Sequence, residues 1–393
     1  MTSHTHHDFL RRRVPGEQAR VEFSELFFDL VFVFAVTQVS HTLLGHLSLE
    51  GAVQALMLLL AMWWVWNYTA WATNWLDPSN VVIRLMLFVL MLAGLIFSIS
   101  IPEAFGERGL AFAGAYVFMQ VGRCLFTVWA MKSDPENRRN FIRITSWQVL
   151  GGIFWIAGAF LETEPRMLVW AIALLIEYVS PKLSFWTPWL GASRIASLTL
   201  EGGHMAERAG LFIIIALGES ILVTGATFSE SDFSGVSIAA FLIAFVGSVA
   251  MWWIYFNSNS ERAHEQIAAS PKAGLIANVV YTYIHTLIVA GIIVSAVGDE
   301  LVLAHPAGHH AELPTVLVIV GGPALYLLGT ALFRGFMRST LPLGQTVALV
   351  ALVLLGLAGG QFEPLVLAGL VTLLLVAIAA WDGFDRKKAA MEA

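Results

Sequence analysis

Apolar runs of about 20 residues alternate with short polar stretches along the whole chain. A helix of about 20 apolar residues is long enough to cross the hydrocarbon core of a bilayer. The sixth run is the weakest, because it is short, contains Glu177 and ends at Pro181. The pattern predicts about twelve transmembrane helices, at residues 24–43, 52–73, 81–101, 109–131, 141–161, 167–184, 206–228, 236–257, 274–297, 314–333, 342–360 and 365–381.

The composition indicates an integral membrane protein. Hydrophobic residues make up 58% of the 393 residues and charged residues 13%, whereas soluble domains carry about 25% charged residues. The lipid bilayer is therefore the expected partner. The net charge of −6, without a basic stripe, predicts no nucleic-acid partner. The single cysteine, Cys124, excludes an intramolecular disulfide and a thiolate metal cluster, and we expect no metal or cofactor.

The basic residues predict the orientation of the helices. With twelve spans, almost all Lys and Arg residues fall on the side of the N-terminus, and the opposite loops hold Arg108 and Arg166. Basic residues collect on the cytoplasmic side of membrane proteins, so both termini are expected to be cytoplasmic. The polar N-terminal stretch does not have the pattern of a cleavable signal peptide, so the first span is expected to remain in the mature protein.

Four short sequence pairs recur in the same order in the two halves of the chain. They are Ala61–Trp66 with Ala250–Tyr255, Ala93–Ser98 with Ala290–Ser295, Gly122 with Gly329, and Glu164 with Glu363. Four matches in one order indicate a tandem duplication of six spans. Because six is even, both copies enter the membrane in the same direction, which is the parallel-repeat arrangement.

The expected fold is therefore an all-α polytopic membrane protein built from two parallel six-helix repeats. Cytoplasmic tails are expected at both ends, and a cytoplasmic-side linker is expected between the repeats. The predicted boundaries are 1–20 for the first tail, 21–184 for the first repeat, 185–203 for the linker, 204–382 for the second repeat and 383–393 for the last tail.

Two carboxylates open the first span. Glu25 and Asp29 are four residues apart, which places them on one face of a helix, roughly 6 Å apart along its axis. Carboxylates inside a membrane span are costly unless they have a partner, a water-filled cavity or a functional role. A structural role in fixing helix register is the alternative to the direct functional role that we favour. Thr37 and Gln38 are candidate coordinating neighbours.

The seventh span carries a second group of polar residues. His204, Glu207 and Arg208 occupy one helical turn, so they can pair with one another on a single face, which favours a structural role. Glu219, followed by Ser220, lies about 18 Å further along the axis, near the expected bilayer midplane. A carboxylate at that depth must protonate, pair or face water, and we favour a functional role for it.

Arg123 is the only Lys or Arg residue predicted to lie well inside a span, and His285 lies inside the ninth span. An arginine at the membrane centre requires a counter-ion, and the sequence leaves Glu25, Asp29 and Glu219 open as candidates. His285 is expected to form a hydrogen bond between helices. The candidates for binding a substrate or ion, or for proton coupling, are Glu25, Asp29, Thr37, Gln38, Arg123, Glu219 and Ser220. The structural or gating candidates are His204, Glu207, Arg208 and His285.

Two long stretches carry a family signature: ELFFDLVFVFA at residues 25–35 and HMAERAGLFIIIALGES at residues 204–220. They resemble the bacterial low temperature requirement protein A family, and the resemblance extends from about residue 20 to 382. It implies a multi-pass protein of the bacterial inner membrane, named for a cold-growth phenotype. The family has no established biochemical activity, so no catalytic residues can be carried over.

A weaker resemblance is to the potassium channels built from two six-span repeats, which carry Phe-Ser-Asp in the first span. Here Phe27, Phe28 and Asp29 stand in sequence, so the serine is missing. The seventh span has Gly218, Glu219 and Ser220 instead of such a triplet. A cation channel therefore remains an alternative function.

The favoured function is a secondary transporter of a small solute or ion. Two parallel halves place a cavity at their pseudo-symmetry axis, and intramembrane carboxylates there could carry protons or bind a cation. A membrane-embedded enzyme is a further alternative, with His41, His204 or His285 as base or metal ligand. The sequence has no HExxH, GxSxG or phosphate-binding glycine loop, so we do not expect an enzyme. The substrate and the oligomeric state stay open.

Overall fold

The computed structural model describes residues 9–11, 20–193, 202–257, 276–338 and 341–391. Within these ranges the chain forms twelve long helices and no β-strand. They are α1 Phe23–Gly45, α2 Leu49–Trp75, α3 Val81–Glu103, α4 Gly109–Ser133, α5 Pro135–Ala159, α6 Thr163–Val179, α7 Gly202–Ser229, α8 Gly235–Phe256, α9 Asn278–Ala304, α10 Leu313–Arg338, α11 Leu343–Gln361 and α12 Pro364–Met391. The predicted all-α fold is confirmed.

Ten of the helices in the described ranges are long and apolar enough to cross a membrane, namely α1–α4 and α7–α12. The other two correspond to the predicted fifth and sixth spans. Helix α6 has 17 residues, and α5 begins with a polar turn that contains Glu136, Arg138 and Arg139. The chain is therefore a multi-pass membrane protein, while the count of twelve spans and the two parallel repeats stay predictions.

The apolar side chains on the outer faces of the helices match a lipid environment. Leu92, Leu222, Leu354 and Leu373 are each about 60% exposed. Isolated exposed leucines are ordinary on soluble proteins, but here such residues occur on almost every helix. This distribution is expected where hydrocarbon, rather than water, covers the outer surface.

The chain divides into two compact units. Unit 1 comprises Met1–Gln38, Val53–Arg208 and Ser270–Leu275, and unit 2 comprises Val39–Ala52, Ala209–Ala269 and Ile276–Ala393. Helices α1, α2 and α7 each contribute residues to both units. The predicted repeat boundaries, 21–184 and 204–382, stay predictions.

The core of unit 1 contains a stack of aromatic rings from α3, α4, α5 and α6. The ring of Trp155 lies 4.7 Å from that of Tyr116 and 5.0 Å from that of Trp170, and Phe112 lies 5.2 Å from Trp170. Gly158 makes room for this stack, because a Cβ atom there would lie 2.6 Å from the Trp170 ring. The short helix α6 is thus held to α5 by buried aromatic area.

In unit 2, helices α9 and α10 approach each other closely at glycines. A Cβ atom on Gly291 would lie 2.3 Å from the backbone nitrogen of Tyr326, and one on Gly322 would lie 2.5 Å from that of Ser295. Small residues allow membrane helices to approach this closely. The contact is stabilised by van der Waals packing, because the hydrophobic effect does not act between helices in lipid. Helices α8, α11 and α12 pack around this pair.

The structure describes parts of the predicted tails and linker. In the N-terminal segment the backbone N–H of Arg11 donates to Trp75 O at 2.8 Å, while residues 1–8 and 12–19 lie outside the described residues. In the linker Phe185 is buried and Trp189 is fully exposed, while residues 194–201 lie outside the described residues. The last helix continues past the predicted boundary at 382 to Met391.

Candidate functional site

The first buried polar cluster of unit 1 is centred on Glu25. Its carboxylate is fully buried in the first turn of α1. It accepts hydrogen bonds from Arg11 Nη2 at 2.8 Å, from His204 Nε2 at 3.0 Å and from the backbone N–H of Glu22 at 3.0 Å. The last contact is the reciprocal half of a helix capping box. Glu25 therefore both starts helix α1 and holds the N-terminal segment and α7 against it.

His204 connects Glu25 to helix α2. Its Nδ1 atom lies 3.3 Å from Asn74 Nδ2, while its Nε2 atom faces the Glu25 carboxylate. The Glu25 carboxylate can only accept, so its hydrogen bond with His204 places the ring proton on Nε2. Arg11 Nη2, which lies 3.2 Å from the same atom, then donates to Glu25 and not to the ring. The imidazole thus joins a carboxylate on α1 to an amide on α2.

Asp29 and Arg208 form the second ion pair of this cluster. Both side chains are buried, and Arg208 Nη2 donates to Asp29 Oδ1 at 2.9 Å. The same Oδ1 accepts a hydrogen bond from Trp66 Nε1 at 2.9 Å, and the Arg208 guanidinium lies 5.7 Å from the centre of the Trp66 ring. Among the described residues, Asp29 Oδ2 and the Nε and Nη1 atoms of Arg208 have no hydrogen-bond partner.

The pairing within the seventh span differs from the sequence-based expectation. His204, Glu207 and Arg208 were expected to pair with one another, but each is bound instead to the segment that begins α1. Glu207 Oε2 accepts a hydrogen bond from the backbone N–H of Val21 at 3.2 Å. The correction follows from helix packing, since the acids of α1 face the turn of α7 that carries the two basic side chains.

Arg123 begins a second buried chain in unit 1. It donates to Thr69 Oγ1 at 3.1 Å and to the side-chain oxygen of Gln120. Gln120 in turn donates to the Tyr116 hydroxyl at 3.2 Å, and that hydroxyl donates to Glu177 at 2.5 Å. Among the described residues Arg123 forms no ion pair with Glu25 or Asp29, two of the three candidate counter-ions that the sequence leaves open. Neutral amide and hydroxyl acceptors bind the guanidinium instead.

The local backbone of α4 places this chain. Residues Phe118–Gly122 form a π-helical turn between two α-helical stretches. Such turns occur inside α-helices and are frequent at functional sites. Gly151 on α5 leaves space for the carboxylate, because a Cβ atom there would lie 3.0 Å from Glu177 Oε1.

Unit 2 carries its own buried polar group. Ser220 is fully buried on α7, and its hydroxyl donates to Asp299 Oδ2 at 2.8 Å and lies 2.8 Å from the hydroxyl of Ser248. Glu219, the neighbouring residue, is also buried. Three helices, α7, α8 and α9, thus contribute to this group.

The remaining candidates make local contacts. Thr37 donates to the carbonyl oxygen of Val33 in its own helix at 3.2 Å, and Gln38 is half-buried. The His285 Nδ1 atom donates to the carbonyl oxygen of Val280 at 2.8 Å, and its Nε2 atom lies 2.9 Å from the hydroxyl of Tyr255. His285 therefore links α8 to α9.

Several residues of these clusters are not among the candidates that the sequence predicts. Trp66 stands out only as the end of the recurring stretch Ala61–Trp66, and Arg11 falls in the predicted N-terminal tail. Asp299 lies beyond the predicted end of its span at residue 297, whereas helix α9 continues to Ala304. A signal for Asp299 exists in retrospect, because apolar residues follow it at Leu301–Leu303. Within the described residues, no three His, Cys, Asp or Glu side chains are grouped as a metal site.

Replacing Arg11 by alanine is expected to lower the free energy of unfolding by about 2 kcal/mol, since hydrogen bonds to charged groups contribute about 1.5–3 kcal/mol. Arg11 also donates through Nε to the carbonyl oxygen of Thr73 at 2.8 Å. Denaturant titration of the purified protein measures the change. Arg20→Ala is the control, because Arg20 offers Arg11 its backbone carbonyl. Equal effects of both variants would show that the Arg11 side chain adds nothing.

Comparison with known proteins shows the family to which this chain belongs. The family described as Bacterial low temperature requirement A protein (LtrA) matches residues 20–380. The chain is similar to the uncharacterized protein RA0937 of Rhizobium meliloti (strain 1021), at 39% identity over 389 residues, which cover 97% of this chain and 92% of that protein. No solved structure matches the chain. The name of the relative states no activity, so the buried clusters are the starting point for a function.

Proposed function

Because the chain belongs to the bacterial low temperature requirement A family, whose matching relative has no named activity, we propose its function from the buried charges. We propose that it is a secondary transporter of a small solute or ion, located in the bacterial inner membrane, and that it is not an enzyme. Intramembrane carboxylates would carry protons or bind the transported species, which is the common use of such groups in transporters.

The observation that carries the proposal is the ion pair of Asp29 and Arg208. A buried pair is a poor stabilising device unless every remaining donor and acceptor is bonded. Here one carboxylate oxygen and two guanidinium nitrogens lack hydrogen bonds among the described residues. A polar solute or a proton would supply the missing hydrogen bonds. In a purely structural pair these unbonded polar atoms would only lower stability.

The architecture that accompanies the proposal has twelve spans in two parallel repeats, with both termini cytoplasmic. Helices α5 and α6 would be the two further spans, in addition to the ten helices that are long and apolar enough to cross a membrane. The polar first turns of α5, up to Arg143, would then lie in the cytoplasmic headgroup layer, where basic side chains are favoured. In this topology the Glu25–His204 pair is near the cytoplasmic surface, and Asp299 is toward the opposite one.

Proton flux into liposomes that contain the purified protein tests the proposal. A pH-sensitive dye inside the liposomes reports the flux, and a panel of common metabolites and ions supplies the driving gradient. Asp29→Asn and Glu219→Gln are each expected to lower the coupled flux at least tenfold, because they remove a titratable buried group. Glu164→Gln, at an exposed glutamate in the first turn of α6, is expected to behave as the unmodified protein.

The possible results separate the functions. Saturable flux that both variants abolish supports the transporter. Ohmic currents through single proteins in planar bilayers would replace it by the cation channel. Unchanged flux in folded Asp29→Asn, as judged by circular dichroism and gel filtration, would contradict the assigned role of the Asp29–Arg208 pair.

A further inference from the structure

A small cavity lies inside unit 2, between helices α8, α9, α10 and α12. Its volume is about 30 Å³, above the roughly 10–15 Å³ that a cavity needs to hold one water molecule. Asp299, Ser295, Ile319, Pro323 and Thr372 are among the residues that line it. The helices that line it are all long and apolar enough to cross a membrane.

Asp299 supplies a fixed carboxylate to this cavity. Its Oδ2 accepts a hydrogen bond from Ser220, and the hydroxyl of Ser248 lies 2.8 Å from that of Ser220. Because Ser220 uses its proton for Asp299, Ser248 is the donor to Ser220. This chain holds the carboxylate through Oδ2 at the wall of the cavity.

Pro323 adds a backbone carbonyl. In an α-helix the N–H of residue 323 would bind the carbonyl oxygen of Ile319, but proline has no N–H to donate. Pro323 lies inside helix α10, and both residues line the cavity. Carbonyl groups freed in this way coordinate cations in transporters with interrupted helices.

Two hydroxyl groups complete the oxygen set. Ser295 donates to the carbonyl oxygen of Gly291 at 2.8 Å, so its proton points away and its lone pairs stay available. Thr372 makes a long contact of 3.5 Å with Ile243 O. One carboxylate, one carbonyl and two hydroxyls form a set of hard oxygen ligands with a single negative charge. Oxygen ligands select hard cations, and one negative charge balances a monovalent ion.

We propose that this cavity binds a small monovalent cation of the size of Na⁺, with Asp299, Ile319 O, Ser295 and Thr372 as its ligands. The role of this cation as the coupling ion of transport rests on the proposed function. Its binding to the cavity does not depend on that function. Proton carriage by Asp299 alone would need neither the cavity nor the freed carbonyl, so the geometry favours the metal cation.

Thermal unfolding of the full chain in detergent tests the site. NaCl is varied while choline chloride keeps the ionic strength constant. A ligand that binds the folded state raises the unfolding temperature in a saturable way, so we expect Na⁺ to raise it and choline not to. Equilibrium binding of radioactive Na⁺ gives an independent apparent Kd.

Variants assign the ligands. Asp299→Asn is expected to abolish the Na⁺-dependent rise. Thr372→Val and Pro323→Ala keep the charge, and each is expected to weaken Na⁺ binding at least tenfold; alanine at 323 restores an N–H for Ile319 O. Should Asp299→Asn fail to fold, these two variants still decide the question. Glu230→Gln, at an exposed glutamate after α7, is the control and should bind Na⁺ as the unmodified protein does.

Three results would overturn the site: equal stabilisation by choline, an undiminished rise in Asp299→Asn, or an unfolding temperature that depends on pH and not on Na⁺. The last result would make Asp299 a proton carrier. Na⁺ binding without any flux in liposomes would overturn the transporter and leave the site standing. Flux without Na⁺ binding would overturn the site and leave the transporter standing.

Discussion

Arg208→Met is expected to lower the free energy of unfolding by about 3–5 kcal/mol, because it leaves the Asp29 carboxylate buried without its counter-ion. Asp29 and Arg208 are both almost inaccessible to solvent, so water cannot replace the lost partner. Denaturant titration of the purified protein in detergent, followed by circular dichroism, measures the loss. Arg84→Met is the control, since Arg84 is exposed, and surface substitutions usually change stability by about 0.5 kcal/mol or less.

The double variant Asp29→Leu/Arg208→Met separates stability from function. Replacing both members of a buried ion pair by apolar residues is often neutral or stabilising. The double variant is therefore expected to recover most of the stability that Arg208→Met loses, while coupled flux stays absent. If coupled flux recovers together with stability, the Asp29–Arg208 pair has only a structural role, and the proposed transport role is contradicted.

Gly322→Ala is expected to destabilise the protein by about 3 kcal/mol, at the upper end of the usual cost of overpacking. The added methyl group would lie 2.5 Å from the backbone nitrogen of Ser295. Backbone atoms cannot turn away as a flexible side chain can, so α9 and α10 must separate. Thermal or denaturant unfolding, compared with the unmodified protein, measures the cost.

Gly321→Ala, one residue earlier, is the matched control. A Cβ atom at Gly321 has no heavy atom within 4 Å. Alanine is favoured over glycine inside a helix by about 0.8–1.0 kcal/mol, so this variant is expected to be neutral or slightly stabilising. If the two adjacent variants destabilise equally, close packing of α9 on α10 is not the cause.

The helices could be predicted from the sequence because most of them are long apolar runs with few charges. The seventh span was expected at 206–228 and is observed at Gly202–Ser229. Two helices continue well past their predicted ends: α12 continues from residue 381 to Met391, and α9 continues from residue 297 to Ala304 through Asp299 and Glu300. Two adjacent charged residues are typical of a loop, so the sequence predicted the end of the helix before them. The hydroxyl group that binds Asp299 inside the helix bundle belongs to Ser220, which is distant in sequence.

The acidic half of the first cluster was also predictable, whereas its partners were not. Glu25 and Asp29 stand out because a charge inside an apolar helix needs an explanation. Their partners are 179 residues away on α7, and the rotation of α7 about its axis cannot be deduced from one sequence. The sequence could not choose a counter-ion for Arg123, and in the structure Gln120 and Thr69 bind its guanidinium.

The π-helical turn Phe118–Gly122 determines where helix α4 can lose or gain a residue. One turn of α4 holds an extra residue, so the stretches before and after it are about 100° out of phase with a continuous α-helix. Deleting a single residue there would leave an ordinary, well-bonded helix. Because the wide turn absorbs that residue, the deletion would also leave Arg123 at about its present rotation relative to Tyr116. A one-residue deletion within this turn is thus a length change that keeps the side chains of α4 in phase, whereas the same deletion elsewhere in α4 would rotate all later side chains by about 100°.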